Sequence, residues 1–286
     1  MSGNVEYKDR LFSFMFGNGE HKEWTLSLYN AINGTHYTDP EQISIQTIRQ
    51  VLYMGMHDDV AFIIADMLSL YEQQSTFNPN MPVRMLEYAS NLMEKYIRQN
   101  RLNKYSRKQI MLPVPKLVVF YNGLDEEPDE RMLRLSDAFK PEQRHNADIS
   151  VTVRMININK GHNDMLMAVC EPLTEYAWIV DCIRNMQKTD NLETAIDKTI
   201  DIIPQSFLTK PFLEAHRAEV KNMLLTEYNE TETMEMFREE GRAEGSENER
   251  IKNIRSLMAS LKLTARQAMD ALGIPLAEQD RYVKRI

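Results

Sequence analysis

Cysteine is nearly absent, with only Cys170 and Cys182 in 286 residues. Two thiols cannot build the disulfide framework of a small secreted fold, and both lie in apolar helical patterns that suit core thiols in a reducing compartment. No apolar run approaches the ~20 residues needed to cross a bilayer. The opening Met1-Ser2-Gly3-Asn4-Val5-Glu6 has no basic and apolar leader. The expectation is a cytoplasmic protein with no membrane partner. The six histidines, His21, His36, His57, His145, His162 and His216, are scattered, and none has zinc spacing. Gly17-Asn18-Gly19 is too short for a phosphate-cradling loop and follows no strand. No internal repeat points to a solenoid.

What is present suits a globular protein: 43% of residues are apolar and 27% charged, so wholesale disorder is excluded. The net charge of -8 argues against a nucleic-acid binder on its face. Its distribution softens that objection. Residues 1–160 hold 18 Lys and Arg against 20 Asp and Glu, a balance of -2, whereas residues 161–286 hold 16 against 22, a balance of -6.

Periodicity gives the order of elements. Tyr7 to Phe16 carries Leu11, Phe14 and Met15 at helical spacing, and Glu23 to Ile32 continues as a second helical piece. Ile43 to Met54 is β-branched and aromatic, as a strand would be. Val60 to Ile64 and Met67 to Tyr71 read as two strands joined by a tight turn at Ala65-Asp66. After the break at Asn78-Pro79-Asn80-Met81-Pro82, a long helix runs to about Gln99 with Leu86, Ala89, Met93, Tyr96 and Ile97 inward. Lys116 to Tyr121 suits a buried strand, and Ile149 to Ile156 one more. Beyond residue 163 every periodic stretch is helical: Met165 to Gln187, Leu192 to Ile203, and Pro211 to about Glu235. Phe237 to Asn253 is charged and Gly-interrupted, and Thr264 with Gln267 forms a capping box opening a short closing helix pair.

The chemistry concentrates between His57 and Gln74. If Ala65 and Asp66 form a two-residue loop, Ile64 pairs with Met67, and counting back sets Asp59 opposite Glu72. Opposed residues on an antiparallel pair share a face about 5 Å apart. Two carboxylates at the open end of a hairpin repel unless a cation lies between them, and a hard ion such as Mg²⁺ suits oxygen ligands. The parity matters: a three- or five-residue loop would bring Asp58 to that place instead. The bland alternative is two solvated strand carboxylates, which half-exposed sheets carry commonly.

Several stretches resemble the Rpn family of recombination-promoting nucleases and transposases, within the PD-(D/E)XK superfamily. They are Asp9-Arg10-Leu11-Phe12 with Phe16-Gly17, the run Asp58 to Ile64, Leu70 to Thr76, and Asn78 to Pro82, with weaker likeness at Pro115 to Gly123, Asn157 to Leu166 and Phe237 to Gly245. The resemblance implies an α/β restriction-endonuclease-like core of order αβββαβ, a mixed sheet flanked by helices, with an all-helical C-terminal region. It implies Mg²⁺-dependent (or Mn²⁺-dependent) endonuclease hydrolysis of DNA phosphodiesters in recombination or transposition. Asp59 matches the metal-binding aspartate and Glu72 the second acid. Gln74 stands where lysine is usual, which leaves the water-activating role open. Asp9 resembles an accessory acid, and Lys95 is a candidate for the missing amine.

The expected layout is a nuclease-like core over 1–160, a helical domain over 161–235, and a charged tail with a short helix pair over 236–286. Arg101, Lys104, Arg107 and Lys108 form a basic loop suited to DNA phosphates, or an ordinary solvated connection. The closing helices suit self-association, and their outline also fits a helix-turn-helix. Two rivals stand beside this reading. One is a degenerate nuclease fold acting as an interaction module, favoured by the missing lysine and the net acidity. The other is an RNA or single-strand nuclease using the same carboxylates.

Overall fold

A computed structural model describes residues 11–17, 19–46, 59–225, 250–275, 279 and 282, with the backbone alone at Asp59. The chain divides into two compact units, 1–228 and 229–286.

The first unit is built on a six-stranded mixed sheet of order β1-β2-β3-β4-β6-β5. Its strands are β1 (Ser44–Ile45), β2 (Asp59–Ile64), β3 (Met67–Gln74), β4 (Val114–Tyr121), β5 (Glu130–Arg134) and β6 (Thr152–Asn157). β2 and β3 form an antiparallel hairpin whose register pairs Ile64 with Met67 and Asp59 with Glu72. The connecting Ala65 and Asp66 have φ of 45° and 61°. Positive φ at both central residues is the turn whose twist matches the flanking strands. The expected two-residue loop is therefore present, without the glycine or asparagine that usually relieves its strain.

β3, β4 and β6 run parallel, so each link between them must cross over a face of the sheet. Helix α3 (Met81–Gln99) makes the first crossover. It covers one face by packing Met81, Met85, Tyr88 and Leu92 against Leu68, Leu70, Val119 and Met155. The inward stripe thus lies one step around the helix from the expected one. Of the expected residues, only Ala89 is buried. Leu86 and Met93 pack half-buried at the margin of that core and, with Ile97, line an open cavity of about 550 Å³ shared with Leu112, Pro115 and Ile149.

The opposite face carries α1 (Leu11–Phe16), α2 (Lys22–Asn33) and α5 (Glu171–Met186), whose apolar residues share one core with Phe62, Tyr71, Val118 and Phe120. α6 (Leu192–Asp201), α7 (Lys210–Ala215) and helical residues 217–225 add Ile196, Ile200, Leu213, Val220 and Leu224 to that core. A sheet covered on both faces explains why β3 and β4 read as near-continuous apolar runs.

Three further differences from expectation appear, and a fourth expectation lies largely outside the described residues. The helix expected over 165–187 is two pieces, α4 (Asp164–Val169) and α5, interrupted at Cys170. Pro172 opens the second piece; it has no N–H and cannot continue a helix from its N-terminal side. The last strand starts at Thr152 rather than Ile149. β5 was not expected from sequence, because Glu130-Arg131-Met132-Leu133-Arg134 is charge-rich. It is an edge strand, where charge is tolerated and discourages further pairing. The strand expected over 43–54 is described only at β1, and residues 47–58 lie outside the described residues.

The second unit has its own small core. Helical residues 250–261 and the Ala265–Ala271 helix enclose Ile251, Ile254, Ala268 and Met269, joined by Ile274 and Tyr282. The expected capping box is present, with Thr264 and Gln267 bonded reciprocally.

Candidate functional site

The strand register sets Asp59, Glu72, Val119, Met155 and Arg131 in one transverse row across five strands. Glu72 and Gln74 alternate with Gln73, so they share the α3 face while Gln73 points to the other. Both lie near the carboxyl end of β3, where the chain turns through 75–80 into α3. Parallel strands ending side by side leave their carboxyl edge as the natural crevice for a ligand.

Glu72 has only 3% of its side chain exposed, and its Oε1 lies 2.7 Å from Nη2 of Arg84. An unpaired buried carboxylate would be costly, and the guanidinium supplies a permanent counter-charge. Arg84 reaches the strand because it sits one turn into α3, and helical side chains lean toward the N-terminus of their own helix. Tyr88, four residues on, steadies it: its hydroxyl accepts from Arg84 Nη2 at 3.3 Å, and its ring lies 5.9 Å from the guanidinium carbon.

Gln74 is buried beside Glu72. Its Nε2 donates to Glu72 Oε1 at 3.2 Å and to Met81 Sδ at 2.7 Å. A carboxylate only accepts, so the amide must turn its nitrogen that way. That leaves Gln74 Oε1 buried with no hydrogen-bond donor. An orphaned carbonyl oxygen next to a carboxylate is a donor set suited to a hard divalent cation. Glu72 and Gln74 would hold such an ion, with Asp59 at the opposed register position. Among the described residues, no group of three or more His, Cys, Asp or Glu is arranged to hold a metal.

The remaining expected residues are spread out. Asp9 and His57 lie outside the described residues. Lys95 donates to the backbone carbonyl of Gln46 at 2.8 Å, at the β1 side of the sheet, and partial burial lowers its pKa. Arg101, Lys104, Arg107 and Lys108 are all exposed, in the loop following α3. About 22 Å of helix axis separates Arg84 from Gln99, where that loop begins. Lys104 is held by Glu94 at 2.7 Å, a contact that raises the lysine pKa and lowers that of the carboxylate. The basic loop and the Glu72 site therefore occupy opposite ends of α3.

Sequence reading missed two features. Arg84 is one. The other is a buried polar network on the opposite face, at the same carboxyl edge. Gln73 donates to Asn122 Oδ1 at 2.5 Å, and Asn122 donates to the Tyr176 hydroxyl at 3.1 Å. Arg184 bonds the Asn122 carbonyl and Asn159 Oδ1. A Cβ at Gly123 would collide with the Ser75 carbonyl and the Tyr121 ring, so this edge is closely packed. The one available signal was a cluster of Asn and Gln at successive strand ends, in positions otherwise strongly apolar. Comparison with protein-family models, curated proteins and solved structures found no significant match.

Proposed function

We propose that the first unit is a metal-dependent endonuclease of the PD-(D/E)XK kind that hydrolyses DNA phosphodiesters in recombination or transposition of mobile DNA. One observation carries this reading: the hairpin register opposes Asp59 to Glu72, with Gln74 and its unpartnered Oε1 alongside. The likeness of the Asp58–Pro82 stretch to the Rpn family supports it.

When bound between these oxygens, Mg²⁺ or Mn²⁺ supplies positive charge against the phosphoryl oxygens and favours ionisation of an attacking water. The chain's own residues do the rest. Asp59 and Glu72 hold the ion and set its place on the sheet edge. Gln74 Oε1 would complete the oxygen set beside them, and an amide is not basic enough to take a proton from the water. Arg84 balances Glu72, and its planar guanidinium supplies a fixed charge near the position usually held by lysine, in a geometry suited to phosphate. Arg101, Lys104, Arg107 and Lys108 would contact DNA backbone away from the cleaved bond. Self-association through the C-terminal helices would bring two sites to the two strands.

A second reading is an interaction module with a degenerate site. The ion pair at 2.7 Å between Arg84 and Glu72 favours it, because a cation already sits against the carboxylate. Cleavage of supercoiled plasmid with Mg²⁺ or Mn²⁺ separates the two. Metal-dependent nicking by wild type, lost in folded Asp59→Ala and Glu72→Gln, is the expected result. No nicking with either metal, or nicking unchanged in both variants, overturns the nuclease assignment. Preferential cleavage of matched RNA or single strands would transfer the same carboxylates to the other substrate class.

A further inference from the structure

The net acidity of the chain conceals an abrupt change of sign. Residues 229–249 hold eight Asp and Glu against two Arg, a balance of -6, while residues 250–286 hold eight Lys and Arg against three acids, a balance of +5. A surface that needs only solubility intersperses its charges. Here acids and cations are segregated along the sequence. We propose that helical residues 250–261 and the Ala265–Ala271 helix form a duplex-DNA-binding surface that grips the phosphate backbone.

Among the described residues, Arg250, Lys252, Arg255, Lys262 and Arg266 are all exposed. Ile251, Ile254, Leu257 and Met258 turn toward the small core of this unit. Lys252 and Arg255, with the small Ser256 and Ala259, form an exposed stripe flanking that buried face. They recur at i, i+3, i+4 and i+7, the spacing of one helix face. Small residues between the cations let the backbone of a partner come close. Lys262, in the left-handed region at φ 53°, turns the chain, and Lys262-Leu263-Thr264 leads into the Ala265–Ala271 helix with exposed Arg266 at its second position. Two helices joined by a three-residue turn is the outline of a helix-turn-helix.

Duplex DNA is favoured over other anions by what the surface lacks. Membrane binding by a basic helix needs a broad apolar face free to insert beside the cations, but here Ile251, Ile254, Leu257 and Met258 are turned into the core, and the exposed Leu261 and Leu272 lie at the ends of the two helices. Single strands are held by stacking on exposed aromatics. Tyr282, the one aromatic in residues 250–286, is 2% exposed. Cations beside an inward-turned apolar stripe, with no exposed aromatic companion, match a regular phosphate backbone.

The inference is independent of the cleavage assignment and is tested without it, using the full chain in EDTA and fluorescein-labelled duplex DNA of mixed sequence. Wild type should bind with a log-affinity that falls linearly with log salt, and Lys252→Ala with Arg255→Ala should flatten that slope by about two. A control pair with the same charge change in the first unit, Lys160→Ala with Lys188→Ala, should leave the slope unchanged. Equal weakening by the control pair, absence of wild-type binding, or equal binding to RNA or anionic vesicles would each overturn the proposal. The assay holds no divalent metal, so an inert cleavage site leaves this result intact.

Discussion

A carboxylate as deeply buried as Glu72 must bring its counter-charge from the protein, and Arg84 is that group. Removing one partner of a buried pair exposes the other's desolvation cost, whereas replacing both removes charge and cost together. Arg84→Met should therefore lower stability by about 2–3 kcal/mol, below the usual figure for a buried pair because Arg84 keeps 26% of its side chain exposed. The double variant with Glu72→Gln should recover much of the loss. Urea denaturation measures both, and equal stability of Arg84→Met and wild type would show that the pair is only a surface contact. Nothing local in the sequence joins positions 72 and 84, so this partnership was illegible until the crossover helix was in place.

Buried phenols set a second expectation at this scale. Burial pushes Tyr121 up to about 12 and Tyr71 higher still. In the unfolded chain both phenols release their protons near 10. Between about pH 10 and 12 the unfolded state therefore binds fewer protons than the folded one, and stability falls as pH rises. Below that window both states are protonated and the effect vanishes. Tyr121→Phe should flatten part of the alkaline decline in the urea midpoint; an unchanged decline would assign it to other groups.

At the scale of elements, legibility followed how local the signal was. The β2–β3 hairpin was readable because alternation and a two-residue gap determine its register together, and the pairing of Asp59 with Glu72 came with it. The inward face of α3 was only partly legible because its apolar surface is broad: Met85, Tyr88 and Leu92 are buried on the sheet, while Leu86 and Met93 lie at the margin of that core beside the cavity. A hydrophobic pattern reports apolar faces, not which neighbour each one meets. The charged edge strand β5 has almost no such pattern, and only its pairing with β6 makes it a strand. The hairpin turn also gives a prediction. Ala65 and Asp66 accept positive φ at a steric cost that Asn-Gly avoids. Ala65→Asn with Asp66→Gly should stabilise the protein by roughly 1 kcal/mol, seen as a higher urea midpoint at unchanged slope. A loss of stability would mean that the native side chains contribute more at this turn than its backbone strain costs.

At the scale of the whole molecule, the sheet divides two tasks between its faces. The α1, α2 and α5 face carries the larger apolar core and the Asn122–Tyr176 network. The α3 face carries the only described buried pairing of a strand carboxylate with a helix guanidinium. A metal held by Glu72 would lie in the packed interior of its unit, so its occupancy would be coupled to folding of that unit. A cation that binds the folded state alone adds stability as the logarithm of one plus the ratio of its concentration to its dissociation constant, about 1.4 kcal/mol at tenfold that constant. Mg²⁺ should therefore raise the thermal midpoint of wild type, with Ca²⁺ as a second oxygen-seeking probe, and Glu72→Gln should lose the shift. Arg84→Met should gain more from the metal than wild type, because the ion then meets a carboxylate with no competing cation. A shift of equal size in wild type and Glu72→Gln would place the metal elsewhere. No shift in wild type together with a clear one in Arg84→Met would identify the guanidinium as the resident cation and transfer the weight to the interaction-module reading.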